Sequence, residues 1–254
     1  MDNWENVLQE VKQTIRDLQK NWHLEPYFRG QSDVRWQLKP GLARIKSKNI
    51  LWSKEVLENR LYGSFTSLGG YLITPQASPW DILFLMQHHG LPTRLLDWTE
   101  SFAIALYFAI KKAQSDAVVY VLNPYTLNKK LFNHYAIIDS NTDLEGGYYD
   151  YFLDEGNKLY GKFPAPVMAM IGSSHNTRLR FQKGAFTFHR DLNQPLDEIC
   201  PELIHKIIIP EAAFSGAREF LQLAGINEFS IFPDLDGLSR YLTEVELREF
   251  EYVI

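Results

Sequence analysis

Residues 80–108 read WDILFLMQHHGLPTRLLDWTESFAIALYF. This stretch is too apolar for a surface and too polar for a plain core. A fold containing it must bury most of it and still find partners for its Gln, Arg and Asp. Trp80, Leu83, Phe84 and Gln87 follow the i, i+3, i+4, i+7 spacing of one helical face. Gln87 therefore points where its apolar neighbours point, and an unpaired buried amide costs about 1–3 kcal/mol. Arg94 and Asp97 stand three residues apart in the apolar LPTRLLDW segment. An isolated buried charge is costly, so they pair with each other or with a ligand. His88 and His89 close the helix, where cations are favoured. Neighbouring helical residues point about 100° apart, so the two are a poor metal pair. Capping suits at least one of them. Gln87 reads equally as a satisfied core amide, and Arg94 with Asp97 as a structural ion pair.

The rest of the chain supplies the frame. Trp4, Val7, Leu8, Val11, Ile15 and Leu18 predict an amphipathic helix over residues 3–20. Tyr27-Phe28-Arg29-Gly30 reads as a short extended piece, and Trp36-Gln37-Leu38 as another before a Pro40-Gly41 turn. Ser53 caps a second helix through Leu68. Ser78, Pro79 and Asp81 mark a helix start, with a serine cap, a first-turn proline and an acid close behind. Residues 93–99 read as a polar loop before an alanine-bearing helix from Glu100 to about Ala113. The alanines on its Phe102, Ala105, Leu106, Ala109 face allow another element to come close. AVVYVL at residues 117–122 is the clearest buried strand. Residues 123–166 are rich in Tyr, Asn, Asp and Gly and read as a lid or insertion. Strands follow at 167–171, 185–189 and 203–209, then helices from Pro210 and Leu235. Helices dominate the front and strands the middle. The expectation is one mixed α+β domain, with helices packed on a small sheet, split or continuous.

Composition narrows the function classes. The 254 residues carry 26 Lys and Arg against 31 Asp and Glu, a net charge of −5. That balance argues against a general electrostatic coat for nucleic acid. Cys200 is the single cysteine, which excludes an internal disulfide and a multi-cysteine metal site. No uninterrupted apolar run approaches a membrane span, and the N-terminal MDNWENVLQEVKQ has no signal-peptide pattern. The expected setting is cytoplasmic, with no membrane partner. GxGxxG, Walker, GxSxG and HExxH motifs do not occur, so no metal is expected. Asp234-Leu235-Asp236-Gly237 lacks the later ligands of a calcium loop and reads as a turn with a helix cap.

Two further places stand out. In Phe28-Arg29-Gly30-Gln31 an arginine sits beside a glycine that permits close backbone approach, and a guanidinium fork suits phosphate. In residues 178–186, extended backbone would place Arg178, Arg180 and Gln182 on one side. A basic strand edge serves as protection against pairing. With Lys183 and Lys206, Arg178 and Arg180 make a local basic strip.

These blocks resemble the FRG-domain family. The resemblance rests on Phe28-Arg29-Gly30, on QHHGLPTRLLDWT at residues 87–99, on RFQKGAF at 180–186, and on residues 225–238. It implies a single FRG domain over residues 1–254, with the lid or insertion at 123–166. The order of parts is also similar to ADP-ribosyltransferases. There an early strand carries an aromatic-Arg-Gly motif, a Ser-Thr-Ser-type strand precedes an Ala-rich helix, and a late strand carries a glutamate. Arg29 matches the first, residues 93–108 stand for the second, and Gln182 falls where the acid is sought. The resemblance implies NAD as substrate and ADP-ribosyl transfer or NAD hydrolysis, of a toxin or phage-defence kind, on a protein or nucleic-acid acceptor. Arg29, Gln31, Gln87, Thr93, Arg94, Trp98 and Phe186 are the cofactor-binding candidates. Asp97, as substitute acid, His88, His89 and Gln182 are the catalytic ones. The alternative is a non-enzymatic module that binds a nucleotide or nucleic acid.

Overall fold

Ala117–Leu122 forms a strand buried along its whole length. In the computed structural model, which describes residues 3–20, 25–48, 53–140, 165–172 and 180–247, it organises the larger half of the core. Its side chains alternate between faces, as a pleat requires. Ala117, Val119 and Val121 join one apolar cluster with Phe28, Leu106, Ala109, Ile207 and Phe214. Val118, Tyr120 and Leu122 join another on the opposite face with Tyr27, Leu38, Leu96 and Trp98. Burying each such aliphatic side chain contributes about 1.5–3 kcal/mol.

The element order is α1 (Asn3–Gln19), β1 (Tyr27–Gln31), α2 (Lys54–Gly69), α3 (Pro79–His88), β2 (Leu95–Thr99), α4 (Phe102–Ile110), β3 (Ala117–Leu122), α5 (Pro124–Phe132), β4 (Ile138–Asp139), β5 (Val167–Ile171), β6 (Gly184–His189), α6 (Leu196–Ile199), β7 (Ile204–Ile209), α7 (Phe214–Leu223), α8 (Glu228–Ile231) and α9 (Leu235–Glu246). The strands make one mixed sheet in the order β4-β5-β6-β2-β1-β3-β7. Helices and sheet form an α+β fold, and the sheet is larger than expected. It is nevertheless nearly divided. β2 pairs with β6 over five positions, and β1 with β3 over five. Between β1 and β2 only Phe28 and Thr99 pair.

Several local expectations hold. Ser53 caps α2 by accepting from Val56 N–H, and Ser78 with Asp81 closes a capping box on α3. That helix ends at Gly90 (φ 82°), whose left-handed turn lets Leu91 N–H return to the Met86 carbonyl. Asp234 caps α9 through Gly237 N–H. Others fail. The supposed loop at 93–99 contains a central strand, β2. Residues 36–38 are irregular, because Leu38 is held by the Asp197 carboxylate and the Leu196 N–H instead of a ladder. Arg180 and Phe181 are helical and Gln182 lies in a turn, so the expected alternation is absent there; Arg178 lies outside the described residues. Of the supposed lid, residues 124–139 carry α5 and β4, and 141–164 lie outside the described residues. Among the described residues no helix is long and apolar enough to cross a membrane.

The alanine face of α4 does admit a close neighbour, and it is β1. A Cβ built on Gly30 would lie 1.9 Å from the Ala105 carbonyl oxygen and 2.6 Å from the Ala109 nitrogen. Backbone on both sides leaves nothing to yield. Gly30→Ala is expected to destabilise by about 3 kcal/mol or more, at the upper end of overpacking costs. Chemical denaturation measures it, and a loss below about 1 kcal/mol would contradict the contact.

Candidate functional site

Where β1 and β2 part, the sheet opens into a cleft of about 760 Å³. Among the described residues β2 is the fourth of seven strands, yet one of its five residues is exposed. That residue is Asp97, whose side chain is 57% accessible. Arg29 Nη1 spans the opening and donates to the Asp97 carbonyl at 2.7 Å. It thus replaces a ladder bond that diverging strands cannot make. The same nitrogen lies 4.0 Å from the Asp97 carboxylate. Burial lowers the guanidinium's pKa, and the Asp97 charge opposes this.

The Asp97 carboxylate is aimed by a chain of side chains. Leu95 N–H donates to Thr93 Oγ1 at 3.0 Å, and Thr93 Oγ1 donates to Gln87 Oε1 at 2.6 Å. This fixes the amide so that Gln87 Nε2 donates to Asp97 Oδ2 at 2.7 Å. Gln87 thus gains the partners its position on α3 demanded.

Eight of the sequence candidates line this cleft: Arg29, Gln31, Gln87, His88, Asp97, Trp98, Gln182 and Phe186. Three do not. His89 is the exposed C-cap of α3, its ring 4.8 Å from that of His88. Thr93 is buried behind Gln87. Arg94 is fully buried and is not paired with Asp97. Its Nε donates to Glu58 Oε1 at 2.8 Å, its Nη2 to Glu58 Oε2, and its Nη1 to the His189 and Arg190 carbonyls at 3.0 Å each. A guanidinium so consumed has no fork to offer a phosphate. Trp98 and Phe186 are buried walls, not free stacking platforms. Trp98 Nε1 donates to Thr187 Oγ1 at 3.0 Å, and Phe186 packs 4.9 Å from the Phe84 ring.

Two amides are only partly used. Gln182 Nε2 donates to the Ile231 carbonyl at 3.1 Å. Gln31 is 6% exposed, and no group among the described residues donates to its Oε1. Sequence reasoning also missed part of the wall. Arg35, Trp36, Lys39 and Arg44 line the cleft from the segment after β1, and Phe84 and Phe108 from α3 and α4. Among the described residues the lining carries four Arg or Lys residues and a single acid, inside a chain of net charge −5; one of the four, Arg35, is bound by Asp33 beside the cleft. The run of cations from Arg35 to Lys48 was the available signal. Among the described residues, no group of three His, Cys, Asp or Glu is placed to hold a metal.

Residues 25–117 match the model of the FRG domain. Over these residues the chain is similar to the FRG domain. The matched segment holds β1, α2, α3, β2 and α4, and hence both lips of the cleft. Gln182 and Phe186 reach the cleft from beyond the match. The blocks at 180–186 and 225–238 also lie outside it. No curated protein matches the chain, and no solved structure does.

Two expectations follow from the supports of the cleft. His189 is buried beside Thr187, whose Oγ1 lies 2.9 Å from its Nε2. Burial, then the Arg29 and Arg94 charges, push its pKa down to about 3. The neutral ring is the folded form, while the unfolded chain takes up a proton below pH about 6.5. Its stabilisation is complete above that pH and falls as the pH drops toward about 3. Between pH 7 and 5, His189→Gln should flatten the loss of unfolding free energy by about 2 kcal/mol. An unchanged pH slope would contradict a neutral buried imidazole. The ion pair gives a second expectation. Glu58→Ala strands a buried charge and should cost about 3–5 kcal/mol. Replacing the pair together, Glu58→Leu with Arg94→Met, should recover much of that in the same denaturation assay.

Proposed function

We propose that the cleft binds NAD and that the protein transfers its ADP-ribose to an acceptor or to water. The observation that carries this reading is one exposed carboxylate, Asp97, held in a fixed orientation in a cleft that Arg29, Lys39 and Arg44 also line. A diphosphate needs the positive potential, and a sugar developing positive charge needs the carboxylate. A cleft of about 760 Å³ accommodates a dinucleotide.

In the proposed reaction the bond from ribose C1′ to the nicotinamide nitrogen breaks. Its electron pair stays with the ring, which leaves as neutral nicotinamide. An acceptor oxygen forms the new bond to C1′ and loses its proton to His88, the histidine that faces the cleft. Asp97 stabilises the charge on the sugar between these events. Lys39 and Arg44, with Arg29 behind them, attract the diphosphate. Gln31 Oε1 accepts from a ligand hydroxyl or carboxamide, and so recovers the cost of an unpaired buried acceptor. Gln182 adds an amide at the far wall. Thr93, buried behind the wall, and Gln87, on it, position Asp97.

NAD at millimolar concentration should raise the thermal midpoint, since a ligand at about 100 times its Kd adds about 2.7 kcal/mol. Asp97→Asn should keep that shift and lower nicotinamide release about 100-fold or more. Absence of any shift with the wild-type chain would overturn NAD binding. Full turnover in Asp97→Asn would remove the carboxylate from the chemistry.

A further inference from the structure

We propose that single-stranded nucleic acid docks on the segment from Arg35 to Lys48, at the mouth of the cleft. This goes beyond the cleft's own occupant and holds without NAD. The segment carries Lys39, Arg44, Lys46 and Lys48, with no Asp or Glu from residue 35 to 48; Arg35, at its start, is held by Asp33 through Nε at 2.9 Å and Nη2 at 2.6 Å. Such a concentration of one sign is at odds with a chain of net charge −5. A dinucleotide needs less. Lys46 and Lys48 are exposed and lie outside the cleft lining, so the positive strip extends past the space a small ligand fills.

An aromatic platform stands among these charges. Trp36 is 52% exposed and lines the mouth between Arg35 and Lys39. Exposed aromatics interleaved with cations suit bases on the rings and phosphates on the charges. An acidic protein surface would use the cations and leave the indole without purpose.

The strip is also held rigidly. Leu38 and Leu42 are fully buried. Leu38 N–H donates to Asp197 Oδ1 at 3.0 Å, and Leu42 N–H to the Thr93 carbonyl at 2.9 Å. Tyr120 Oη donates to the Trp36 carbonyl at 2.9 Å. The backbone is pinned at three places while Trp36 and Arg44 face outward, so docking need not order a floppy loop. The strip leads into the cleft, and a bound strand would present one of its nucleotides to Asp97 and His88 as an acceptor.

Fluorescence anisotropy with a labelled twelve-nucleotide RNA, and with the DNA of the same sequence, tests this in the absence of NAD. Binding is expected at low salt. With about four phosphate contacts, affinity should fall about 50-fold between 50 and 200 mM salt. Lys46→Glu with Lys48→Glu should weaken binding at least about tenfold, with the thermal midpoint and the response to NAD unchanged. Trp36→Ala should weaken it about tenfold through lost stacking. The relative affinities of the RNA and DNA arms identify which strand is preferred. No binding of either strand at low salt overturns the proposal, as does binding that ignores the Lys46 and Lys48 reversals. Equal competition by polyglutamate would replace nucleic acid with an acidic polypeptide and overturn it too. Oligonucleotide binding without any NAD response leaves this surface standing and removes the cleft reading instead.

Discussion

The structure turns on the place where β1 and β2 touch through one residue pair. Full pairing there would close a seven-stranded sheet and bury Asp97. Separation would cost the core its continuity. Arg29 settles the conflict by reaching across to the Asp97 carbonyl. The Phe-Arg-Gly signature then has a physical reading. Phe28 packs into the core against Phe102, Arg29 bridges the gap, and Gly30 lets α4 lie on the strand. Three consecutive residues thus hold a sheet together at its weakest join and keep it open.

A second constraint lies behind the first. Arg94 and Glu58 neutralise each other in the interior, and Arg94 also gathers the carbonyls of His189, which ends β6, and of Arg190. Replacing a buried pair by apolar residues is often tolerated, whereas breaking it is not. Its role here is placement. It ties α2 to the start of β2 and to the end of β6, and so sets the strand from which Asp97 projects.

Much of this was legible in the residues, and the failures share a cause. AVVYVL, the capped helices and the alanine face of α4 declare themselves through local periodicity or cap chemistry. β2 does not, because a central strand covered on both faces loses the alternation that identifies it. Its Arg and Asp then look like loop residues. The partner of Arg94 could not be read at all. Glu58 sits on a helix where a glutamate ordinarily faces water, and only the fold brings it to residue 94. Asp97 was the nearest acid in sequence and the wrong one. The cations from Arg35 to Lys48 have no period, and they form a surface only because Leu38 and Leu42 are drawn inside.

The matched segment stops at residue 117, the first residue of β3. A polypeptide ended there would keep both lips of the opening and lose the neighbours of each: β3 beside β1, and β6 beside β2. Two bare strand edges would face solvent, each a template for self-association. Recognisable kinship and mechanical self-sufficiency therefore have different borders in this molecule, and the scaffolding that makes the shared portion foldable lies downstream of it.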